Sequence, residues 1–181
     1  MNFCLFGASS DSAASIYYEK TTELGREMAR RGIGMVFGGG ATGLMGAACR
    51  GMSREGGNII GIAPKFFDKE GVLSKDCTEL IFTDTMRQRK QLMENLSDGF
   101  IVTPGGIGTL EEFFEIYTLL QLERHKKPIA LYNINGYFDK LLSLLQHTAS
   151  EGFLSQNCLS LFGIFDEPVP LLNYLSSKAG K

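Results

Sequence analysis

Glycines and acids are concentrated in one short segment, Thr103-Pro104-Gly105-Gly106-Ile107-Gly108-Thr109-Leu110-Glu111-Glu112. Its glycines follow a predicted strand, Gly99–Thr103, and precede a helix that the apolar spacing predicts over Thr109–Leu122. At such a turn, free backbone N–H groups and the helix dipole attract an anion, and glycine lets a ligand approach the main chain. The segment therefore predicts a phosphate site at Gly105, Gly106, Gly108 and Thr109, with the Glu112 carboxylate beside it.

The same residues allow a second interpretation, in which they only begin a helix. Thr109 and Glu112 fit the S/T-x-x-E pattern of a capping box, where each side chain satisfies a backbone N–H at the helix start. A capping box needs no Gly-Gly-x-Gly before it. The glycines thus favour the phosphate site, and the capping box stays open as the alternative.

A second glycine turn, Phe37-Gly38-Gly39-Gly40-Ala41-Thr42-Gly43-Leu44-Met45-Gly46, also lies between a predicted strand and a predicted helix. Read from Gly38 it satisfies G-x-G-x-x-G. A dinucleotide site would add an acid at the end of the next strand, but the chain has Ile62-Ala63-Pro64 there. Neither glycine turn continues into Gly-Lys-Ser/Thr, which argues against a triphosphate P-loop. Close helix–strand packing is the alternative reason for the glycines.

Two cations occupy the apolar face of the next predicted helix, Met86–Ser97. By the 3.6-residue period Arg89 and Lys90 share a face with Met86, whereas Arg87 points away with Gln91 and Glu94. A buried cation without a partner costs several kcal/mol, so Arg89 and Lys90 are expected to meet a phosphate or carboxylates. The alternative is snorkelling, in which the charged ends reach water.

The helix after the first glycine turn carries three acids and a wide apolar belt. Glu111 and Glu115 repel each other at i, i+4, with Glu112 adjacent, and we expect Arg89 or Lys90 to relieve that repulsion. The belt is wider than one sheet-facing stripe requires. It predicts a homodimer, with burial inside one monomer as the alternative; its members are Leu110, Phe113, Phe114, Ile116, Tyr117, Leu119, Leu120 and Leu122.

Apolar runs typical of strands alternate with helical patterns along the whole chain. The predicted strands are Phe3–Gly7, Met35–Phe37, Ile59–Ala63, Leu80–Thr83, Gly99–Thr103, Ile129–Tyr132 and Leu161–Phe165. The predicted helices are Ser12–Arg31, Leu44–Glu55, Met86–Ser97, Thr109–Leu122, Tyr137–Glu151 and Val169–Lys178. This alternation predicts an α/β fold: a Rossmann-like, doubly wound, mostly parallel sheet with helices on both faces, in a single domain over residues 1–181. The polar segment Pro64–Glu79 is interpreted either as a lid near the site or as an ordinary surface loop.

Composition argues against several classes of partner. A net charge of −2 and a pI near 5.7 give no bulk attraction to nucleic acid or to an anionic membrane. The N-terminus shows no signal-peptide pattern and no run reaches membrane-spanning length, so we expect a cytoplasmic protein. The four cysteines form no C-x-x-C pair, and His125, in a polar run, is interpreted as part of a solvated helix end. No metal site is expected.

The motifs together resemble the LOG family of cytokinin-activating phosphoribohydrolases, often labelled lysine decarboxylase-like. The family's P-G-G-x-G-T-x-x-E motif is matched from Pro104 to Glu112, its R-K element by Arg89-Lys90, and its G-G-G-x-x-G-L-M-G turn from Gly38 to Gly46. Two departures are visible: the family's M-H-x-R-K reads Met86-Arg87-Gln88-Arg89-Lys90 here, and its F-C-G-S-S reads Phe6-Gly7-Ala8-Ser9-Ser10.

The resemblance implies an N-glycosidase that hydrolyses a purine nucleoside 5′-monophosphate to free base and ribose 5-phosphate, without a metal or redox cofactor. It implies that Arg89 and Glu112 are catalytic and that the first glycine turn binds the 5′-phosphate. The other implied substrate-binding residues are Gly39, Gly40, Met86, Lys90 and Glu115. Nothing in the chain is similar to a pyridoxal phosphate site. A non-catalytic nucleotide-binding or sensor module on the same fold stays open as the alternative, and the residues leave open which base is preferred.

Overall fold

The fold is a seven-stranded parallel sheet with three helices on each face. The computed structural model describes residues 1–180. The strands are β1 (Asn2–Phe6), β2 (Gly34–Phe37), β3 (Ile59–Pro64), β4 (Glu79–Thr83), β5 (Gly99–Val102), β6 (Ile129–Tyr132) and β7 (Phe162–Phe165). The helices are α1 (Ser15–Arg30), α2 (Gly43–Arg54), α3 (Met86–Asn95), α4 (Ile107–Gln121), α5 (Asp139–Ser150) and α6 (Pro168–Lys178).

The predicted α/β fold is confirmed, and every strand pair is parallel, in the order β4-β3-β2-β1-β5-β6-β7. The chain winds outward from β1 to one edge, then returns to place β5 on the other side of β1. The carboxyl ends of β1 and β5 therefore lie at the point where the winding reverses, which is where ligands bind in open α/β sheets. The extent of a single domain over residues 1–181 stays a prediction.

Alternation along the strands divides the core into two layers. In β1, Phe3 and Leu5 pack with α1, α2 and α6, whereas Cys4 and Phe6 pack with α3, α4 and α5. Residues of both kinds are almost fully buried, because helices cover both faces of the sheet. This explains why the strands read as continuous apolar runs in the sequence.

The predicted elements are all present, and the errors are confined to their ends. Helix α1 begins at Ser15 rather than Ser12, because residues 8–14 form a loop whose Asp11 carboxylate accepts a hydrogen bond from Gly43 N–H, 2.8 Å away, at the start of α2. Helix α4 begins at Ile107 rather than Thr109, with Gly106 as its N-cap. Thr109 thus lies inside the helix.

Candidate active site

The first glycine turn leaves the start of α4 free of protein partners. Gly106 has no side chain to cap the helix, and the first intrahelical bond joins Leu110 N–H to the Gly106 carbonyl at 3.1 Å. Within residues 1–180, no acceptor takes the N–H groups of Gly106, Ile107, Gly108 or Thr109. A Cβ built on Gly106 or Gly108 would meet nothing within 4 Å. Four backbone donors at the positive end of a helix therefore lack protein acceptors, and there is open space beside two of them, as an anion requires.

The second glycine turn is filled by the protein itself. The Gly43 N–H donates to Asp11, and the N–H groups of Leu44 and Met45 donate to the Ala8 carbonyl at 2.8 and 3.3 Å. Gly43 has φ +64°, and a Cβ there would lie 2.1 Å from that carbonyl oxygen. The start of α2 therefore offers no free donors to a phosphate. Its glycines serve the close packing that the sequence left as the alternative.

Arg89 and Glu112 form a buried ion pair between α3 and α4. Arg89 Nη1 donates to Glu112 Oε1 at 3.1 Å, with 8% and 11% of the two side chains exposed. Arg89 Nε also donates to the Ile62 carbonyl at 3.2 Å, and Nη2 lies against Gly38, where a Cβ would be 2.1 Å away. The guanidinium has five N–H donors, of which two have protein acceptors within residues 1–180. The others remain available to a ligand.

This ion pair excludes the capping box at Thr109 and Glu112. The Glu112 carboxylate meets Arg89 instead of returning to the helix start, and no side chain caps α4. A capping box does occur at α3, where Thr85 accepts from Gln88 N–H at 3.1 Å and the Gln88 side chain accepts from Thr85 N–H at 3.2 Å. The T-x-x-Q pattern was readable in the sequence and was missed.

Burial raises the pKa of the Glu112 carboxyl above its ordinary value. Desolvation is the largest influence, and the charge and hydrogen bond of Arg89 act in the opposite direction. Arg89 thus offsets part of the rise in pKa that burial causes. A carboxylate of this kind is suited to accept a proton.

Lys90 and Glu115 belong to a second set of ion pairs beside Arg89 and Glu112. Lys90 contacts Glu111, and its Nζ lies 2.7 Å from Glu115 Oε2. The predicted relief of repulsion between Glu111 and Glu115 is confirmed for Lys90. Lys90, Glu115 and Arg87 line a neighbouring cavity of about 260 Å³ between α3 and α4, and Glu112 borders this cavity as well as the main one.

A larger cavity of about 610 Å³ opens at the carboxyl ends of β1 and β5. It brings together seven of the residues predicted for the site: Gly40, Met86, Arg89, Gly106, Gly108, Thr109 and Glu112. Four others do not line it. Lys90 and Glu115 belong to the neighbouring cavity, the Gly39 carbonyl accepts from Ser74 N–H at 2.8 Å, and the Gly105 carbonyl faces Tyr137.

One wall of this cavity comes from the segment between β3 and β4. Phe67, Gly71, Val72 and Leu73 line the cavity. The segment is joined to the second glycine turn, because Ala41 N–H donates to the Val72 carbonyl at 3.0 Å. Their apolar side chains in an otherwise polar stretch were the available signal, but the sequence did not show which surface they would contact.

Neither histidine chemistry nor a metal cluster is found at the site. The prediction that His125 belongs to a solvated helix end is wrong. His125 is buried, its Nε2 lies 2.9 Å from the Ile116 carbonyl, and its Nδ1 accepts from Lys127 N–H at 3.2 Å.

Among residues 1–180, no group of three His, Cys, Asp or Glu residues is placed to hold a metal ion. No helix in that range is long and apolar enough to cross a bilayer.

Comparison of the sequence with known proteins identifies plant relatives that are named as phosphoribohydrolases. The chain is 39% identical over 152 residues to "Probable cytokinin riboside 5'-monophosphate phosphoribohydrolase LOGL5" of Oryza sativa subsp. japonica, covering 84% of this chain and 62% of that protein. It is 40% identical over 154 residues to "Cytokinin riboside 5'-monophosphate phosphoribohydrolase LOG4" of Arabidopsis thaliana, covering 85% and 72%. The chain thus spans less than two thirds of the rice relative.

Solved structures show the same fold at lower sequence identity. The molybdenum cofactor carrier protein of Chlamydomonas reinhardtii superposes with a TM-score of 0.71 at 20% identity, covering 98% of each chain. At that identity the likeness concerns the fold alone. The family model described as "Possible lysine decarboxylase" matches residues 45–175. With that match and the identity to the plant proteins, the chain belongs to the LOG family.

Proposed function

We propose that this protein hydrolyses the N-glycosidic bond of a purine nucleoside 5′-monophosphate, releasing free base and ribose 5-phosphate. One observation carries the proposal: the buried Arg89–Glu112 pair and the uncapped start of α4 line the same cavity. Backbone N–H groups that can bind a phosphate lie beside a buried carboxylate. This arrangement matches a substrate in which a single ribose links the phosphate to the glycosidic bond. The names of the plant relatives describe the same reaction class.

The 5′-phosphate is assigned to the N–H groups from Gly106 to Thr109. Their donors have no protein acceptor within residues 1–180, and the positions of Gly106 and Gly108 leave room for phosphate oxygens at the main chain. The dipole of α4 adds to the attraction. Because the start of α2 is occupied by Asp11 and the Ala8 carbonyl, one phosphate site is proposed rather than two.

Glu112 is assigned to the bond cleavage. Its carboxylate takes a proton from water as the water oxygen bonds to C1′ of the ribose; the bond from C1′ to the base nitrogen breaks, and its electron pair leaves with the base. The same negative charge stabilises the cationic sugar in the transition state. Arg89 holds Glu112 in place, and its free N–H donors lie at the cavity to contact the substrate.

The mouth of the cavity supports a base that carries an apolar group or presents an apolar face. Phe67, Val72, Met86 and Ile107 line the cavity and are partly or largely exposed, Ile107 at 84%. Adenine and N6-prenylated adenine both satisfy this requirement. The relatives' names favour the cytokinin type, and turnover of the two nucleotides side by side would decide between them.

Assembly and location are part of the same proposal. Ile107, Phe114 and Leu122 leave an apolar strip exposed along α4, and a second copy of this chain would cover it beside the cavity. We therefore propose a homodimer. The cysteines are all free, which supports a reducing compartment such as the cytoplasm.

A panel of substrates tests the proposal. Purified protein is incubated with AMP, N6-prenylated AMP, the matching nucleosides and ATP, and free base is measured by chromatography. Release of base from the monophosphates alone is the expected result. Binding of the monophosphates without release of base would instead favour the non-catalytic nucleotide-binding module.

A further inference from the structure

The carbonyl group of Gly105 is held by a side chain outside the cavity. The Tyr137 hydroxyl donates to the Gly105 oxygen at 2.6 Å. Tyr137 does not line the cavity, and neither does Gly105, whereas Gly106 does. The contact therefore acts on the back of the turn whose front faces the proposed phosphate.

The geometry of one peptide unit links that contact to the cavity. In a trans peptide the carbonyl and the following N–H point in opposite directions, and the described chain contains no cis bonds. With the Gly105 carbonyl fixed on Tyr137, the Gly106 N–H is directed to the opposite side, toward the cavity. The preceding carbonyl, of Pro104, is fixed by Ala8 N–H at 3.1 Å. Both peptide planes of the turn are thus anchored, one by Ala8 at the edge of the cavity and one by Tyr137 from outside it.

Tyr137 is itself held by a constrained loop after β6. Asn133 connects the two ends of this loop: its side chain donates to Asp139 at 2.8 Å and accepts from Phe138 N–H at 2.7 Å. Between them, Asn135 and Gly136 are both left-handed, with φ of 53° and 69°. Asn and Gly adopt this backbone at the lowest steric cost, so the local sequence and the Asn133 hydrogen bonds favour the same loop conformation.

The Tyr137 ring is also supported on two sides. It makes edge contacts with Tyr17 of α1, at a centroid distance of 6.1 Å, and with the buried Phe138, at 5.0 Å. These two ring contacts hold the side chain in place, although 41% of the residue is exposed. Because the ring is already held in place, the hydrogen bond from its hydroxyl to the Gly105 carbonyl costs little further side-chain entropy.

We propose that Tyr137 is a positioning residue for phosphate binding, which acts by orienting the Gly106 N–H toward the ligand. This inference rests on the phosphate site of the proposed function. Without the hydroxyl, the Gly105–Gly106 peptide is free to rotate, and one donor of the phosphate site loses its fixed direction. Binding energy for the phosphate falls, while the Arg89–Glu112 pair, which Tyr137 does not contact, is unchanged.

The test uses Tyr137→Phe, with Tyr174→Phe as the matched control, because the Tyr174 hydroxyl, on α6, has Lys178 as its one hydrogen-bond partner within residues 1–180. Inorganic phosphate is titrated into each protein by calorimetry, and KM and kcat are measured with AMP. For Tyr137→Phe we expect phosphate Kd and KM to rise together by about five- to tenfold, the loss expected for one hydrogen bond, with kcat nearly unchanged. Tyr174→Phe should match the wild type.

The two readouts separate this inference from the proposed function. If the wild type binds phosphate but releases no base, the proposed reaction is wrong, and the phosphate titrations still decide the role of Tyr137. A Tyr137→Phe protein with wild-type phosphate Kd and KM would overturn the inference alone. A fall in kcat and in the thermal midpoint without weaker phosphate binding would also overturn it, because that pattern describes a merely structural tyrosine. Wild-type protein that binds no phosphate overturns both.

Discussion

Arg89 on α3 and Glu112 on α4 meet at 3.1 Å where both line the main cavity, with 8% and 11% of their side chains exposed. The sequence separates them by 23 positions, and the two helices pack on the same face of the sheet. Breaking a buried pair by removing one partner leaves an uncompensated charge, whereas keeping the shape and removing the charge isolates its chemical role.

Replacing Glu112 by Gln tests the carboxylate directly. The amide retains a hydrogen-bond acceptor for Arg89 but cannot take a proton from water. We expect kcat to fall by about 10²-fold or more, with phosphate affinity preserved. Glu115→Gln, one turn further along α4 and outside the main cavity, is the control and should retain most activity. Near-normal turnover by Glu112→Gln would rule out the mechanism.

The pH dependence of kcat/KM should report the raised pKa of Glu112. Because the ionised form is the base, activity falls as pH drops through that pKa, and the acid limb lies above the ordinary value of 4.5. Arg89 lowers the pKa of Glu112, so the remaining activity of Arg89→Gln should begin to fall at a higher pH than that of the wild type. Lys90 lowers the same pKa to a smaller extent, so Lys90→Met should show a smaller shift in the same direction. A limb that shifts downward in Arg89→Gln would contradict the assignment.

The sequence predicted the layers of this fold better than the contacts between its loops. Continuous apolar runs such as Ile129–Tyr132 are typical of strands in a sheet that helices cover on both faces, and this is where the structure places them. The starts of α1 and α4 were harder to predict than the strands. Asp11 lies just before α1 in the sequence, but its carboxylate accepts a hydrogen bond at the start of α2. Gly106 is the N-cap of α4 and has no side chain that could indicate a helix start.

The site was predicted in part for the same reason. Periodicity placed Arg89 among apolar residues, and burial then required an anion, so its partner could be anticipated near Glu112. Periodicity also placed Lys90 on that face, and Lys90 does face α4, but it pairs with Glu111 and Glu115 and does not line the main cavity. No local pattern indicated that His125 would be buried, with its Nε2 beside the Ile116 carbonyl.

His125 should make the folded protein sensitive to acid. Desolvation lowers its pKa below the ordinary 6.5, so the folded state favours the neutral ring. The stability this gives is complete above pH 6.5 and is lost as the pH falls toward the folded-state pKa. Denaturant unfolding at pH 7.5 and 5.5 should therefore show a smaller loss of unfolding free energy for His125→Gln than for wild type, with exposed His147→Gln as the control. Equal losses in all three proteins would contradict this role.

The exposed strip on α4 predicts a homodimer at micromolar concentration. Phe114 and Leu122 are 37% and 57% exposed, and aspartate at both positions should give a monomer by light scattering with reduced activity, because the partner no longer borders the cavity. Leu144→Asp on α5, where the leucine is 55% exposed, is the control and should leave the dimer intact. A fully active wild-type monomer would contradict the prediction.

Gly108→Ala separates ligand binding from folding at a single methyl group. A Cβ at Gly108 meets no protein atom within 4 Å, and the residue lies in the first turn of α4 with no left-handed backbone to strain. Alanine should therefore keep or raise the free energy of unfolding, by up to about 1 kcal/mol, because it restricts the unfolded chain. The same methyl group occupies the space assigned to the phosphate, so KM for AMP should rise by about tenfold or more.

Thermal unfolding with and without inorganic phosphate checks both expectations at once: phosphate should raise the melting temperature of the wild type and leave that of the variant almost unchanged. A variant that phosphate stabilises as well as the wild type would place the anion elsewhere.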